Sequence, residues 1–172
     1  MTNDSKASSF SKYQRFVQQL RSPEFAWQVD NAHDRLVVFS ERIETLRWLK
    51  EQLAQDLKLK PQQIEILDGQ MSDTEQNDLV DRFGRQDDPI RIMLCSDVAS
   101  EGLNLHYFCH RLVHFDLPWS LMVFQQRNGR VDRVAVVGAT APIKLAVLVL
   151  GRPGAQVVAP AAEFGLLVQV DV

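Results

Sequence analysis

The chain of 172 residues is poor in cysteine, with thiols at Cys95 and Cys109 alone. So few thiols cannot build a disulfide framework, and we expect a reduced, cytoplasmic compartment. A long apolar run is also lacking. The N-terminal MTNDSKASSF is polar, unlike a signal peptide, and the apolar stretch 134–150 is interrupted by Pro142 and Lys144. We therefore expect no membrane span.

The chain also lacks a large excess of either sign of charge, since its formal net charge is −3. No whole-chain basic signature points to nucleic acid, although a phosphate-binding face needs only a few local donors. The sequence contains neither a G-x-x-x-x-G-K-[ST] loop nor an acidic Walker B motif. In ATPases that carry these two motifs, a lysine and a carboxylate hold the phosphates and Mg²⁺, and both are thus missing here. The sequence excludes a self-sufficient ATPase of that kind.

What is present is typical of a folded domain, with 45% hydrophobic and 24% charged residues. Residues 1–9 are rich in Ser, Asn and Asp, and we expect them to be disordered. Residues 10–150 are expected to form one folded unit that begins with an N-terminal helix. Residues 151–172 belong to an atypical tail that is poor in charge.

Short apolar runs alternate with amphipathic segments along the folded part. The expected strands cover residues 36–40, 64–67, 90–95, 111–115 and 143–150. The expected helices cover 12–20 and 43–57, follow the capping box Ser72–Glu75, and begin again near Pro118. This order predicts an α/β fold, an open and mostly parallel sheet with helices on both faces.

In such sheets, ligand residues lie in the loops that follow the carboxyl ends of strands. The last of these loops carries Arg127, Arg130 and Arg133 at intervals of three, which places them roughly on one helix face. Clustered guanidinium groups repel one another unless an anion meets them, and phosphate oxygens match the guanidinium fork. A polyphosphate site is therefore predicted. The alternative is a solvated basic helix end.

Loops in the expected order carry VVFSE (37–41) with LDG (67–69), CSDVASEGLNL (95–105) and QQRNGRVDR (125–133). Together they resemble motifs IV, V and VI of the C-terminal RecA-like lobe of superfamily 2 helicases. GLNL with Q-x-x-x-R-x-x-R is most similar to the Swi/Snf-type ATPases, including the bacterial RNA-polymerase-associated kind. The resemblance covers roughly residues 36–133 and implies a RecA-like fold.

The resemblance also implies roles for single residues. Arg130 and Arg133 would be catalytic arginine fingers on the γ-phosphoryl group of ATP, with Gln126 completing their motif. Nucleotide contacts would come from Gly102 and Asn104, with Glu101 and Asp97 in the same loop. Asp97 is expected to organise this loop by accepting from backbone amides or from an arginine. Arg127 is expected to pair with a carboxylate inside the lobe.

For the nucleic-acid backbone, the resemblance implies contacts from Ser40 and Ser96, with Gly69 and Gln70 as weaker candidates. For each serine the alternative is a purely structural role, because serine is a common helix cap. Ser40 could cap the helix that starts near Ile43, and Ser96 or Asp97 could cap one over residues 98–101.

The expected cofactor is ATP with Mg²⁺, the metal being held by a first RecA-like lobe in another chain or in a longer parent protein. Double-stranded DNA is the expected track, with RNA as the alternative. After Arg133 the sequence departs from the usual I-G-Q continuation, and the loss of charge there favours the hypothesis of a truncated or altered tail.

Other interpretations belong to different functional classes. One is a non-catalytic nucleic-acid- or protein-binding module left after loss of the first lobe. Another is a metal or thiol enzyme using the cluster His106, Cys109, His110 and His114, or Cys95 as a nucleophile. Positions four apart on a strand lie too far apart for one ion, so no metal is expected. A thiol at a strand end is usually inert core.

Overall fold

The computed structural model of the protein describes residues 3–23, 27–97, 109–116, 122–123, 126–127, 146–150 and 166–170. Its elements, in chain order, are α1 (Asn3–Leu20), β1 (Arg35–Phe39), α2 (Ile43–Asp56), a 3₁₀ turn (Pro61–Gln63), β2 (Ile64–Leu67), α3 (Asp73–Phe83), β3 (Ile92–Cys95), β4 (Cys109–His114), β5 (Ala146–Leu150) and β6 (Leu166–Val170).

The strands form one sheet in the order β2-β3-β1-β4-β5-β6. Every neighbouring pair is parallel, with Phe39 of β1 opposite both Cys95 of β3 and His114 of β4. Parallel strands need crossover connections, and α2 and α3 lie in the connections that follow β1 and β2. The α/β class predicted from the alternation is confirmed.

One face of the sheet carries the main hydrophobic core. Side chains alternate along a strand, and Leu36 and Val38 of β1 point to this face with neighbours from β3 and β4. α1 and α2 cover it with their apolar sides. Their buried residues in the core are Tyr13, Phe16, Val17, Leu20, Leu46, Leu49 and Leu53.

The other face of the sheet is covered by α3. Arg35 lies on this face with Val37 and Phe39, and its guanidinium is fully buried. It stands over the Phe83 ring of α3, 5.6 Å from the ring centroid, and donates to the carbonyl oxygens of Phe83 and Arg85. A buried cation is thereby placed at the carboxyl end of α3, where free carbonyls and the helix dipole favour positive charge. Helices therefore lie on both faces, as expected.

Most predicted elements are confirmed, and the differences lie near the chain ends. α1 begins at Asn3, so residues 3–9 are helical and the expectation of disorder is corrected there. In the tail, β6 pairs with β5 at the sheet edge, and no strand was predicted at these positions.

The capping box at the start of α3 is present as predicted. The Ser72 hydroxyl accepts from the Glu75 amide at 3.3 Å, and the Glu75 carboxylate accepts from the Ser72 amide at 2.8 Å. The Ser72 amide, and also the Ser72 hydroxyl at 2.8 Å, donate to the Glu75 carboxylate, which favours the ionised acid and lowers the pKa of Glu75. Among the described residues, no helix is long and apolar enough to cross a membrane.

Candidate functional site at the carboxyl edge of the sheet

Polar residues follow β1, β2, β3 and β4 at the same edge of the sheet. Ser40 comes directly after β1, Asp68 after β2 and Ser96 after β3. Main-chain bonds extend the strand pairing to this level, since the Ser40 amide donates to Cys95 and the Ser96 amide donates to Leu67. The parallel register thus brings together loops that are far apart in sequence, as the sequence analysis expected.

Arg127 lies at the centre of this edge. Its Nε donates to Asp97 Oδ1 at 2.5 Å, and its Nη2 donates to Asp97 Oδ2 at 2.8 Å. This is the two-pronged geometry in which a guanidinium meets a carboxylate. The Arg127 side chain is 1% exposed, whereas that of Asp97 is 29% exposed. The expected pairing of Arg127 with a carboxylate, and of Asp97 with an arginine, is confirmed.

The rest of the Arg127 guanidinium contacts the sheet. Its Nη1 donates to the main-chain oxygen of Asp116 at 3.0 Å and lies 3.3 Å from His114 Nδ1. The guanidinium also lies over the Phe39 ring, 5.5 Å from the centroid, and Phe39 stacks on His114. The side chain is held in one orientation, because any rotation would break these bonds and leave a buried positive charge without its acceptors.

Asp116, for which no role was predicted from the sequence, connects this arginine to the loop after β1. Its Oδ2 accepts from the Ser40 hydroxyl at 2.5 Å, and both carboxylate oxygens lie 3.2 Å from the Glu41 amide. Its Oδ1 also lies 3.6 Å from Arg127 Nη2. The available signal was its position just beyond β4, but a lone aspartate there is equally typical of a turn.

Ser40 is buried within this network. The capping alternative for Ser40 is wrong, because α2 has Arg42 at its N-cap position and shows no side-chain capping bond there. The Ser40 hydroxyl donates its hydrogen bond to Asp116 instead. This bond holds the loop between β1 and α2 against the residues that follow β4. Ser96 is also buried and Asp97 is helical, but residues 98–101, over which the capped helix was predicted, lie outside the described residues.

The candidates after β2 are exposed. Gly69 and Gln70 lie in a turn that is held by Asp68 Oδ1, which accepts from the Gln70 amide at 2.8 Å. The Gln70 side chain accepts from Arg47 Nη2 at 3.3 Å. This turn therefore presents main-chain and side-chain polar groups to solvent beside the start of α2.

Gln126 is helical and exposed, in contrast to its buried neighbour Arg127. Arg130, Arg133, Glu101, Gly102 and Asn104 lie outside the described residues, so their predicted roles stay predictions. No group of three His, Cys, Asp or Glu side chains that could hold a metal occurs in the described part of the chain. Cys95 is buried in the sheet, and His114 faces Arg127.

Residues 10–135 match the sequence model of the helicase conserved C-terminal domain. A similar protein is the RNA polymerase-associated protein RapA of Photobacterium profundum, 30% identical over 104 residues, which are 60% of this chain and 10% of that protein. The RapA of Serratia proteamaculans is 29% identical over 106 residues, 62% of this chain and 10% of that protein. The chain thus spans about a tenth of the length of these curated relatives.

Similar folds occur among solved structures. The C-terminal part of the Fun30 ATPase domain superposes with a TM-score of 0.62 at 22% identity, covering 81% of this chain and 41% of that one. Domain 2 of the DEAD-box helicase Mss116p, solved with an RNA duplex, gives a TM-score of 0.57 at 21% identity, with coverage of 84% and 49%. At this identity the likeness establishes the fold alone, which is α/β and RecA-like.

Proposed function

The chain belongs to the helicase conserved C-terminal domain family, and from that premise we propose that it is the second lobe of an ATP-driven, double-stranded-DNA translocase of the Swi/Snf type. In this role it supplies Arg130 and Arg133 to ATP and Mg²⁺ held by a first lobe. Its carboxyl edge contacts the nucleic-acid backbone.

The observation that carries the proposal is the buried fork between Arg127 and Asp97. It ties the GLNL-containing loop to the arginine-rich segment, which are the two segments that the family resemblance assigns to the nucleotide. Because the Arg127 side chain is 1% exposed, it is committed to this internal pair. We assign the phosphate contact to the other arginines of the series, Arg130 and Arg133, as the family resemblance implies.

The exposed turn at Gly69 and Gln70 supports the backbone-contact part of the proposal. The exposed Gln70 side chain lies beside the exposed Arg47, from whose Nη2 it accepts at 3.3 Å, and polar and cationic side chains of this kind bind phosphate oxygens without reading sequence. Ser40 contributes by holding the loop before α2 in place through Asp116, since its own hydroxyl is buried and donated. Direct contact between Ser40 or Ser96 and a phosphate remains a prediction.

The test is reconstitution with a first lobe taken from a RapA-type relative. Adding this chain is expected to stimulate DNA-dependent ATP hydrolysis, and Arg130→Ala or Arg133→Ala to abolish the stimulation. Arginine fingers contribute about 10³-fold or more to hydrolysis in related phosphoryl-transfer sites. Arg85→Ala is the matched control, because Arg85 is exposed and follows α3. Stimulation that survives both finger substitutions would favour a non-catalytic binding module instead.

A further inference from the structure

Asp116 contacts both the loop before α2 and the arginine that holds the GLNL-containing loop. Its carboxylate accepts from the Ser40 hydroxyl at 2.5 Å and from the Glu41 amide at 3.2 Å. Its main-chain oxygen accepts from Arg127 Nη1 at 3.0 Å. The residue therefore connects segments that are 76 and 11 positions away in sequence.

The connection continues through Arg127 to Asp97, which follows β3, the next strand but one from β4. Arg127 uses Nε and Nη2 for Asp97 and Nη1 for Asp116, so a shift of Asp116 displaces the same rigid guanidinium that grips Asp97. A planar fork transmits such a shift better than a flexible ammonium group, because its donors are fixed relative to one another.

Charge reinforces the link. The Arg127 cation lies between the carboxylates of Asp97 and Asp116, with Nη2 at 2.8 Å from one and 3.6 Å from the other. The carboxylates are each 29% exposed, whereas the cation is almost fully buried. Movement of the partly exposed Asp116 toward the Ser40 loop or toward Arg127 thus changes how strongly the Arg127 cation is attracted to Asp116 relative to Asp97.

We infer that Asp116 is a positioning residue that couples the loop Ser40–Arg42, at the nucleic-acid side of the lobe, to the Arg127–Asp97 fork at its nucleotide side. This role rests on the proposed function, since it specifies how contact with DNA reaches the ATP-responsive segments. Asp116 acts through its neighbours and is not assigned a contact with ATP.

The experiment uses the complex of the full chain with its first lobe and a double-stranded DNA duplex as the probe. The measured quantities are the ratio of DNA-stimulated to DNA-free ATP hydrolysis and the duplex concentration that gives half-maximal stimulation. Asp116→Asn keeps the size of the side chain and removes its charge. We expect the stimulation ratio to fall about tenfold, equivalent to about 1.4 kcal/mol, and Asp116→Glu to recover part of the loss.

A merely structural role is separated by a matched control and by a double-mutant cycle. Asp56→Asn removes an exposed carboxylate that accepts from Tyr13 at 2.7 Å, away from this edge, and should leave the ratio unchanged. Ser40→Ala should lower the ratio in the parent chain and have no further effect in Asp116→Asn. Ser72→Ala, at the start of α3, is the serine control.

An unchanged stimulation ratio in Asp116→Asn, or additive effects of Ser40→Ala and Asp116→Asn, would overturn the coupling role while leaving the motor function intact. If Asp116→Asn does not give a folded complex, Ser40→Ala decides the question, and an unchanged ratio in that variant overturns the role. Absence of any stimulation in the parent complex, with every first lobe tried, removes both the motor function and the coupling.

Discussion

Arg127→Lys should destabilise the chain even though the positive charge is retained. Lysine has a single ammonium group and cannot bond both oxygens of Asp97 and the carbonyl of Asp116 at once. At least two of these bonds are lost. A hydrogen bond to a charged group contributes roughly 1.5–3 kcal/mol when intact. Asp97 is 29% exposed, so water replaces part of the two lost bonds, and we expect the net loss to be about 2–3 kcal/mol.

That loss is a large share of the roughly 5–15 kcal/mol by which a domain of this size is stable. Urea unfolding followed by circular dichroism measures it. With a slope of roughly 2 kcal/mol per molar, the midpoint should fall by about 1 M at unchanged slope. Arg85→Lys, an exposed change after α3, serves as the control and should leave the midpoint in place. A loss below about 0.5 kcal/mol for Arg127→Lys, the range of ordinary surface changes, would refute the assignment of the buried fork.

Further predictions concern groups outside the site. Ser72→Ala should lower the free energy of unfolding in urea by about 1 kcal/mol. The pKa of Glu75 lies below 4.5 in the folded chain, so the stabilisation by its bonds from Ser72 is present above that pH. The difference in stability between the variant and the parent should therefore shrink as pH falls through the folded pKa. Tyr13→Phe should cost about 1–2 kcal/mol by loss of the bond to Asp56. Burial raises the pKa of Tyr13 well above its usual range, so ultraviolet titration should show one tyrosine ionising only as the chain unfolds in alkali. Arg35→Met should cost more than about 3 kcal/mol, because carbonyls at the end of α3 lose their buried donor.

Elements with strong local signals were predictable from the sequence. The run Ile64–Leu67 is the strand β2 with the predicted bounds, and the Ser72–Glu75 capping box marks the start of α3. Both depend on neighbouring residues, so no long-range information is needed. The strand at Leu166–Val170 was not predicted, because its place in the sheet depends on pairing with β5 rather than on a bounded local pattern.

The site was predictable in part for the same reason. The pairing of Arg127 with a carboxylate followed from clustered like charges, and Asp97 was a candidate for it. The role of Asp116 was not predicted, because its partners Ser40 and Arg127 are brought to it by the pairing of β1 with β4, which no local pattern fixes. The burial of Ser40 was equally hidden, since serine after a strand suits a cap, a phosphate contact or an internal bond.

The central claim is that this chain completes an ATP site with Arg130 and Arg133. Its most direct test is the single-turnover rate constant of hydrolysis at saturating ATP, measured for the first lobe with DNA and either the parent chain or Arg133→Ala. A finger acts on charge that develops in the transition state, so we predict a fall of about 10³-fold in the rate constant with ATP affinity changed much less. The control Arg85→Ala should keep the parent rate constant. A rate constant for Arg133→Ala within about threefold of the parent value would contradict the account.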